Sequence, residues 1–178
     1  ISPEMIGIAS CKFKHAGIPV PAIAADMRTL PFHTRFDALI CLYDSINYIT
    51  KSADFRKAVA EASSVLETGG LFVFDVCTAW NSEMFFSNNS MVEVIGDIEY
   101  ERICRYDSAG RIQENRFIVT RSEGPQVTEV HRQRIYSLKE IEEMIGGAPF
   151  REVGRFDDMS FRKGTEYSER VHFVLRRT

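Results

Sequence analysis

Histidine, cysteine and tryptophan are scarce in this chain of 178 residues, which holds four, four and one of them. The cysteines, Cys11, Cys41, Cys77 and Cys104, lie far apart, with no CxxC pair and no histidine cluster beside them. That spacing argues against a metal centre and for buried, reduced thiols. Reduced thiols point in turn to a cytoplasmic setting. No stretch approaches the roughly 20 apolar residues of a membrane span, so no membrane partner is expected. Neither sign of charge is in excess, with 22 Lys and Arg against 25 Asp and Glu. This balance gives no electrostatic case for nucleic acid. His15, His33, His131 and His172 are scattered, and each reads as structural or surface rather than catalytic. An initiator methionine is also missing. The chain opens at Ile1 beside a helix cap, and the expectation is that further sequence lies upstream.

What is present is an ordinary globular composition, 44% hydrophobic and 26% charged. Ser2 and Pro3 suit the N-cap and first position of a helix that runs to about Ala16, where Gly17 ends it. Val20 to Ala25 is a short apolar run, read as a buried strand ending at Asp26. The continuous apolar run from Phe36 to Leu42 fits a parallel strand covered on both faces. Phe55, Val59, Ala62, Ser63 and Leu66 recur at helical spacing, and Thr68-Gly69-Gly70 stops that helix. Leu71 to Val76 is a further buried strand. The order predicts an α/β, doubly wound sheet.

From Met91 to Tyr136 the pattern changes to alternation, as in Arg102-Ile103-Cys104-Arg105-Tyr106. Asp107-Ser108-Ala109-Gly110 and Glu123-Gly124-Pro125 supply turn signals. This predicts an antiparallel meander with one wet face, and not a continuation of the central sheet. Ser137 and Glu140 form a capping box for a helix to about Ile145. Phe150 to Phe156 and Val171 to Arg176 read as closing strands. The expected organisation is a core over 1–90, an inserted antiparallel β lid over 91–136, and a closing helix and strands over 137–178.

These pieces, in this order, resemble the class I S-adenosylmethionine-dependent methyltransferases. Ser2-Pro3-Glu4-Met5 is similar to the helix after that family's second strand. Asp26-Met27-Arg28-Thr29-Leu30-Pro31-Phe32 is similar to the end of its third strand. Phe36-Asp37-Ala38-Leu39-Ile40-Cys41 is similar to its fourth strand, with Tyr43-Asp44-Ser45-Ile46-Asn47-Tyr48-Ile49 following. Leu66 to Asp75 is similar to the helix-turn-strand of the fifth. The Asp44 to Tyr48 stretch and the meander resemble the small-molecule subgroup that includes sugar and glycine N-methyltransferases. The chain departs from the pattern at its start. The first strand, the acidic-x-Gly-x-Gly loop and the acidic residue ending strand two have no counterpart, so the Rossmann-like sheet is incomplete at the N-terminus.

The resemblance implies S-adenosyl-L-methionine as cofactor and a sheet order 3-2-1-4-5-7-6. Asp26 would accept from the adenine amino group and the Met27 N–H would donate to a ring nitrogen; the plainer alternative is that Asp26 caps a turn. Ile1 and Met5 either wall the adenine or pack in the core. Leu42 and Tyr43, after strand four, would meet the methionine moiety or adenosine. Asp44 would orient an amine or accept its proton, and Asn47 would fix orientation, unless each is a helix cap. Trp80 would wall the substrate cavity or pack under the lid. Arg132, Arg134 and Tyr136 share one strand face and would meet a carboxylate or sugar, unless that face is solvated. In-line displacement at a sulfonium carbon rests on positioning, so no catalytic triad is expected and none is visible.

The expected activity is methyl transfer to nitrogen or oxygen of a small polar acceptor. Two alternatives share the pattern: a nicotinamide-dependent oxidoreductase, and a non-catalytic binding or assembly fragment. With strands one and two lacking, unpaired sheet edges lead us to expect one of two outcomes: a homo-oligomer formed through those edges, or loss of native position over the N-terminal ~30 residues.

Overall fold

The computed structural model describes residues 2–178. Helix α1 covers Pro3–His15, with the Ser2 hydroxyl accepting from the Met5 N–H at 3.2 Å and Lys12, Lys14 and His15 in the last turn, where cations suit the helix dipole. None of its residues is buried.

Strand β1 (Phe36–Cys41) runs parallel to β2 (Leu66–Cys77). The last two strands, β7 (Phe150–Asp157) and β8 (Arg170–Arg177), are antiparallel, and the sheet order is β1-β2-β8-β7. This is the 4-5-7-6 part of the expected order. Between Phe36 and Ala38 the register jumps from Leu66 to Leu71. The chain fits there because Gly70 has no side chain: a Cβ on it would stand 2.9 Å from the Glu67 carbonyl and 3.0 Å from that of Asp37.

Helices α2 (Ser52–Ser64) and α4 (Leu138–Ile145) pack on this sheet. Their apolar positions, Phe55, Val59 and Ala62 on one and Ile141, Met144 and Ile145 on the other, meet Phe72, Phe74, Val171, Phe173 and Leu175 of β2 and β8. The Phe74 and Phe173 rings stack at 5.1 Å, and Phe55 meets both Phe74 and Tyr136 edge-on. The capping box that opens α4 is present in full: the Ser137 hydroxyl accepts from the Glu140 N–H and Glu140 accepts from the Ser137 N–H.

Helix α3 (Ala79–Phe86) leads into a second sheet, β3 (Asn88–Ile95), β4 (Ile98–Asp107), β5 (Ile112–Arg121) and β6 (Val127–Arg134). It is antiparallel throughout, in the order β3-β4-β5-β6, and shares no ladder with the first sheet. Its inner face carries Arg102, Cys104, Gln113, Asn115, Phe117, His131 and Gln133, brought abreast by the pairs Cys104–Asn115, Asn115–His131 and Gln113–Gln133.

Two expectations need correction. Val20 to Ala25 is not a strand: it forms no ladder, and only an isolated bridge joins Asp26 to Thr29. Its apolar residues fit a strand, but a strand exists only where a neighbour takes its hydrogen bonds, and none lies beside it among the described residues. Strand β1 is likewise not covered on both faces, since Phe36 and Ile40 are exposed.

Phe55 is fully buried at the junction of α2, β2 and the segment after β6. Phe55→Ala is expected to lower unfolding free energy by about 3–5 kcal/mol, the cost of a large cavity in a packed core. Urea unfolding checks this; an unchanged midpoint would place Phe55 outside the cooperative core.

Candidate functional site

The carboxyl end of β1 turns sharply. Tyr43 and Asp44 both adopt left-handed backbone, with φ of 58° and 46°. Neither is glycine, so the turn is strained and must be held from outside. The Asp44 N–H donates to Asp75 Oδ2 at 2.8 Å. Asp75, near the end of β2, is fully buried. Arg170, the first residue of β8, pairs with Asp44 Oδ1 at 2.9 Å and with Asp75 Oδ2. Gln133 of β6 donates to the other Asp44 oxygen. Gln133 in turn accepts from Gln113 at 3.4 Å, and Gln113 accepts from the Ser82 hydroxyl at 2.8 Å. Burial opposes the charge on Arg170, but Cys77, Asp44 and Asp75 outweigh it and raise its pKa.

Asp44, Gln113, Gln133 and Arg170 line a cavity of about 550 Å³ between the end of the first sheet and the inner face of the second. Its wall includes Tyr43, Asp44, Tyr48, Phe85, Arg102, Asn115, Gln133, Glu169 and Arg170. Cys77 also borders it, yet burial and the neighbouring Asp44 push that thiol up to about 12, so it is no thiolate nucleophile at neutral pH. A second cavity of about 540 Å³ is lined by Asp26, Met27, Ile49, Lys51 and again Tyr48.

Several sequence-derived residues do not reach the first cavity. Asn47 is 0% exposed. Its Nδ2 donates to the Arg134 carbonyl at 2.7 Å, and its Oδ1 accepts from the Cys77 N–H at 3.3 Å. Both ends of the amide are spent on backbone, so Asn47 pins the loop to β6 and β2 instead of facing an acceptor. Arg132 pairs with Glu114 at 2.9 Å on the outer face of the second sheet. Arg134 donates to the Gly110 carbonyl at 2.8 Å and lies over the Tyr136 ring. Tyr136 is buried, its hydroxyl donating to the Ile49 carbonyl at 2.8 Å. The parity is therefore opposite to that expected: Gln133 and His131 face inward. Trp80 meets Phe85 edge-on at 6.0 Å and does not itself line the cavity. Met5 is exposed on α1, Leu42 is exposed after β1, and Ile1 lies outside the described residues.

Asp26 does cap a turn. Its carboxylate accepts from the Arg28 N–H at 2.9 Å and from the Arg28 guanidinium at 2.6 Å, and that guanidinium reaches on to Asp54 at 3.0 Å. Arg28 Nε adds contacts of 3.0 Å to Oδ1 and 3.2 Å to Oδ2, so this one residue engages a carboxylate that offers about four acceptor sites. Sequence reasoning missed Arg170, Asp75, Gln113 and Gln133. They come together only in the folded chain, across 20 to 95 positions of sequence, and no local motif marks them.

The family described as "Methyltransferase domain" matches residues 1–70. A protein designated a methyltransferase, YqeM of Bacillus subtilis (strain 168), is 26% identical over 182 residues, covering 100% of this chain and 73% of its own length. The crystal structure of an S-adenosylmethionine-dependent methyltransferase from Clostridium acetobutylicum ATCC 824 superposes with a TM-score of 0.87 at 24% identity, over 98% of this chain and 72% of that one. The structure of CalS10 with S-adenosylmethionine bound, an amino pentose methyltransferase from Micromonospora echinaspora, gives a TM-score of 0.70 at 24% identity, over 100% and 72%.

Hydrogen bonds from the Arg28 side chain, then from its backbone N–H, hold the Asp26 pKa at about 2, against an ordinary 3.8. A depressed carboxylate stabilises the fold above its ordinary value, and that contribution is lost as pH falls through the folded value. The Asp26 turn is thus expected to persist at pH 4 and open towards pH 2. Carboxyl-carbon NMR titration checks this: Arg28→Ala is expected to return the Asp26 midpoint towards 3.8, and an unmoved midpoint would rule out Arg28 as the cause.

Proposed function

We propose that the chain is a class I S-adenosylmethionine-dependent methyltransferase and that it methylates a nitrogen of a small polar acceptor held in the cavity beside Asp44. The observation that carries this reading is the Tyr43–Asp44 turn, which presents a carboxylate into a polar cleft at the carboxyl end of a strand, where open α/β sheets take their ligands.

The residues present fit the cofactor. Adenine needs a flat apolar slot with an acceptor for its amino group, and the second cavity offers Met27 and Ile49 as walls, with Asp26 as acceptor in place of one of its Arg28 contacts. Leu42 and Tyr43 would border the methionine end. When bound, S-adenosyl-L-methionine supplies an electrophilic methyl group on a sulfonium centre. The protein's task is then alignment.

Asp44 keeps acceptor capacity beyond its bonds to Arg170 and Gln133, so it would receive an N–H of the acceptor and orient it. Nitrogen is favoured over oxygen by the charge of the wall: Asp44, Asp158 and Glu169 outnumber Arg102 and Arg170. Asp75 stands behind Arg170 and adds a further negative charge. A cationic amine is attracted to such a site. Gln113, Asn115 and Gln133 add hydrogen-bonding groups, and Tyr43, Phe85 and Phe117 add flat apolar surface, a mixture suited to an amino sugar or another compact polar amine. Asn47 is a positioning residue, acting through the backbone it holds. Among the described residues, no helix is long and apolar enough to cross a membrane.

Asp44→Ala is expected to lower turnover by roughly 100-fold, the cost of a misplaced acceptor, while leaving cofactor affinity nearly unchanged. Steady-state rates with a panel of small amines, beside isothermal titration with S-adenosyl-L-methionine, separate the two quantities. Affinity collapsing together with turnover would move Asp44 to the cofactor.

The outer edge of β1 pairs with no strand among the described residues, and Phe36, Ile40 and Leu42 are exposed along or just beyond it. Such an edge recruits other chains. The 178-residue chain alone is therefore expected to sediment above its monomer mass of 20.3 kDa, and a clean monomer by analytical ultracentrifugation would reject edge pairing.

A further inference from the structure

Tyr48 is common to the walls of both cavities. The residue is 47% exposed, and its hydroxyl lies 2.7 Å from His131 Nδ1 on β6. The other ring nitrogen, Nε2, is 3.2 Å from Glu129 Oε2. Phe117 and Tyr48 grip the imidazole edge-on, at 4.9 and 5.7 Å between ring centres. Glu129 is well exposed on the rim of the lid. A line of groups that exchange protons thus runs from the boundary between the two cavities to solvent.

The charged neighbours are few. Asp44 and Arg102 act on Tyr48, Glu129 acts on His131, and Arg102 lies over the Phe117 ring that His131 touches. Burial, then Asp44, raise the Tyr48 pKa against the opposing Arg102, so the phenol keeps its proton until a partner moves it.

We propose that Tyr48, His131 and Glu129 are the exit path for the proton that an amine acceptor loses before it attacks. This rests on the amine reading of the same cavity. The ammonium gives one proton to the Tyr48 oxygen as the phenolic proton passes to His131 Nδ1. The Nε2 proton then leaves through Glu129 to water, and the imidazole and phenol return to their starting forms after tautomer exchange. The freed lone pair on nitrogen forms the new N–C bond, while the C–S electron pair stays on sulfur as a neutral thioether. The product leaves as the N-methylammonium. His131, which looked like a surface histidine from sequence alone, is a positioning and relay residue, and Tyr48 is the group facing the acceptor.

The test has two arms. Nitrogen-15 NMR of the histidine rings reads the His131 tautomer without any substrate. The path requires a neutral ring protonated at Nε2 and accepting at Nδ1; protonation at Nδ1 in the resting enzyme overturns it. In the second arm, N-methylation of a primary amino sugar is followed kinetically. His131→Ala is expected to lower kcat by about 100-fold, the usual scale of acid–base assistance, with KM unchanged and turnover partly restored by added imidazole. Tyr48→Phe is expected to lose turnover without such rescue. An unchanged kcat in His131→Ala overturns the proposal. If hydroxyl compounds turn over in place of amines, or no probe does, the amine reading falls, and the tautomer decides the relay by itself.

Discussion

A guanidinium shared between two carboxylates organises the end of the sheet. Asp75 is fully buried near the tip of β2, and a buried carboxylate is costly unless paired. Arg170 supplies the charge from the antiparallel neighbour β8, which can do so because Cys77 and Arg170 stand abreast at the end of that ladder. The same guanidinium reaches Asp44. Asp75 also takes the Asp44 backbone N–H, which a left-handed turn would otherwise leave without its strand partner. Strain in the turn and burial of the carboxylate are therefore offset by one set of contacts. Removing Arg170 would release both penalties at once, and the wall of the acceptor cavity would lose its geometry with them.

The lid is fixed to that same point by neutral groups. Gln133 contacts Asp44, Asn47 holds the Arg134 carbonyl, and the Tyr136 hydroxyl holds the Ile49 carbonyl. Each bond joins the loop after β1 to β6 or the residues just beyond it. Asn47 and Tyr136 are buried, so breaking either bond leaves a desolvated amide or carbonyl group unpaired. The remainder of the second sheet has far less holding it down: β3 is exposed along its whole length. The lid is thus anchored through the edge strand β6, which fixes Gln133 and His131 near the loop, while the other edge strand, β3, faces solvent.

Patterns of local period were legible in the sequence. The helical spacing of Phe55, Val59 and Ala62, the Ser137–Glu140 capping box and the alternation of β4 and β5 each follow from two or three neighbouring residues, and each reads directly into structure. The place of Asp44 at a strand end was legible for the same reason. Val20–Ala25 shows where this reasoning stops. An apolar run states that a segment can be a strand; whether it is one depends on a partner that local pattern does not contain. Arg170 and Asp75 fail differently: charged residues near strand ends are common, and only the β2–β8 register turns these two into a pair.

The inward face of β6 was beyond sequence for a sharper reason. Alternation divides His131 and Gln133 from Arg132 and Arg134, yet both sets are polar, so hydrophobicity does not say which faces the protein. Cationic residues look like the binding set because they would recognise an anion or a sugar. The structure resolves the choice through β5. Gln113 and Asn115 are buried, and the pairing of β5 with β6 places Gln133 and His131 beside them. A one-residue slip would present Arg132 and Arg134 to the cavity and change its charge from an acidic to a basic excess. Register in the β5–β6 ladder is therefore a determinant of acceptor charge.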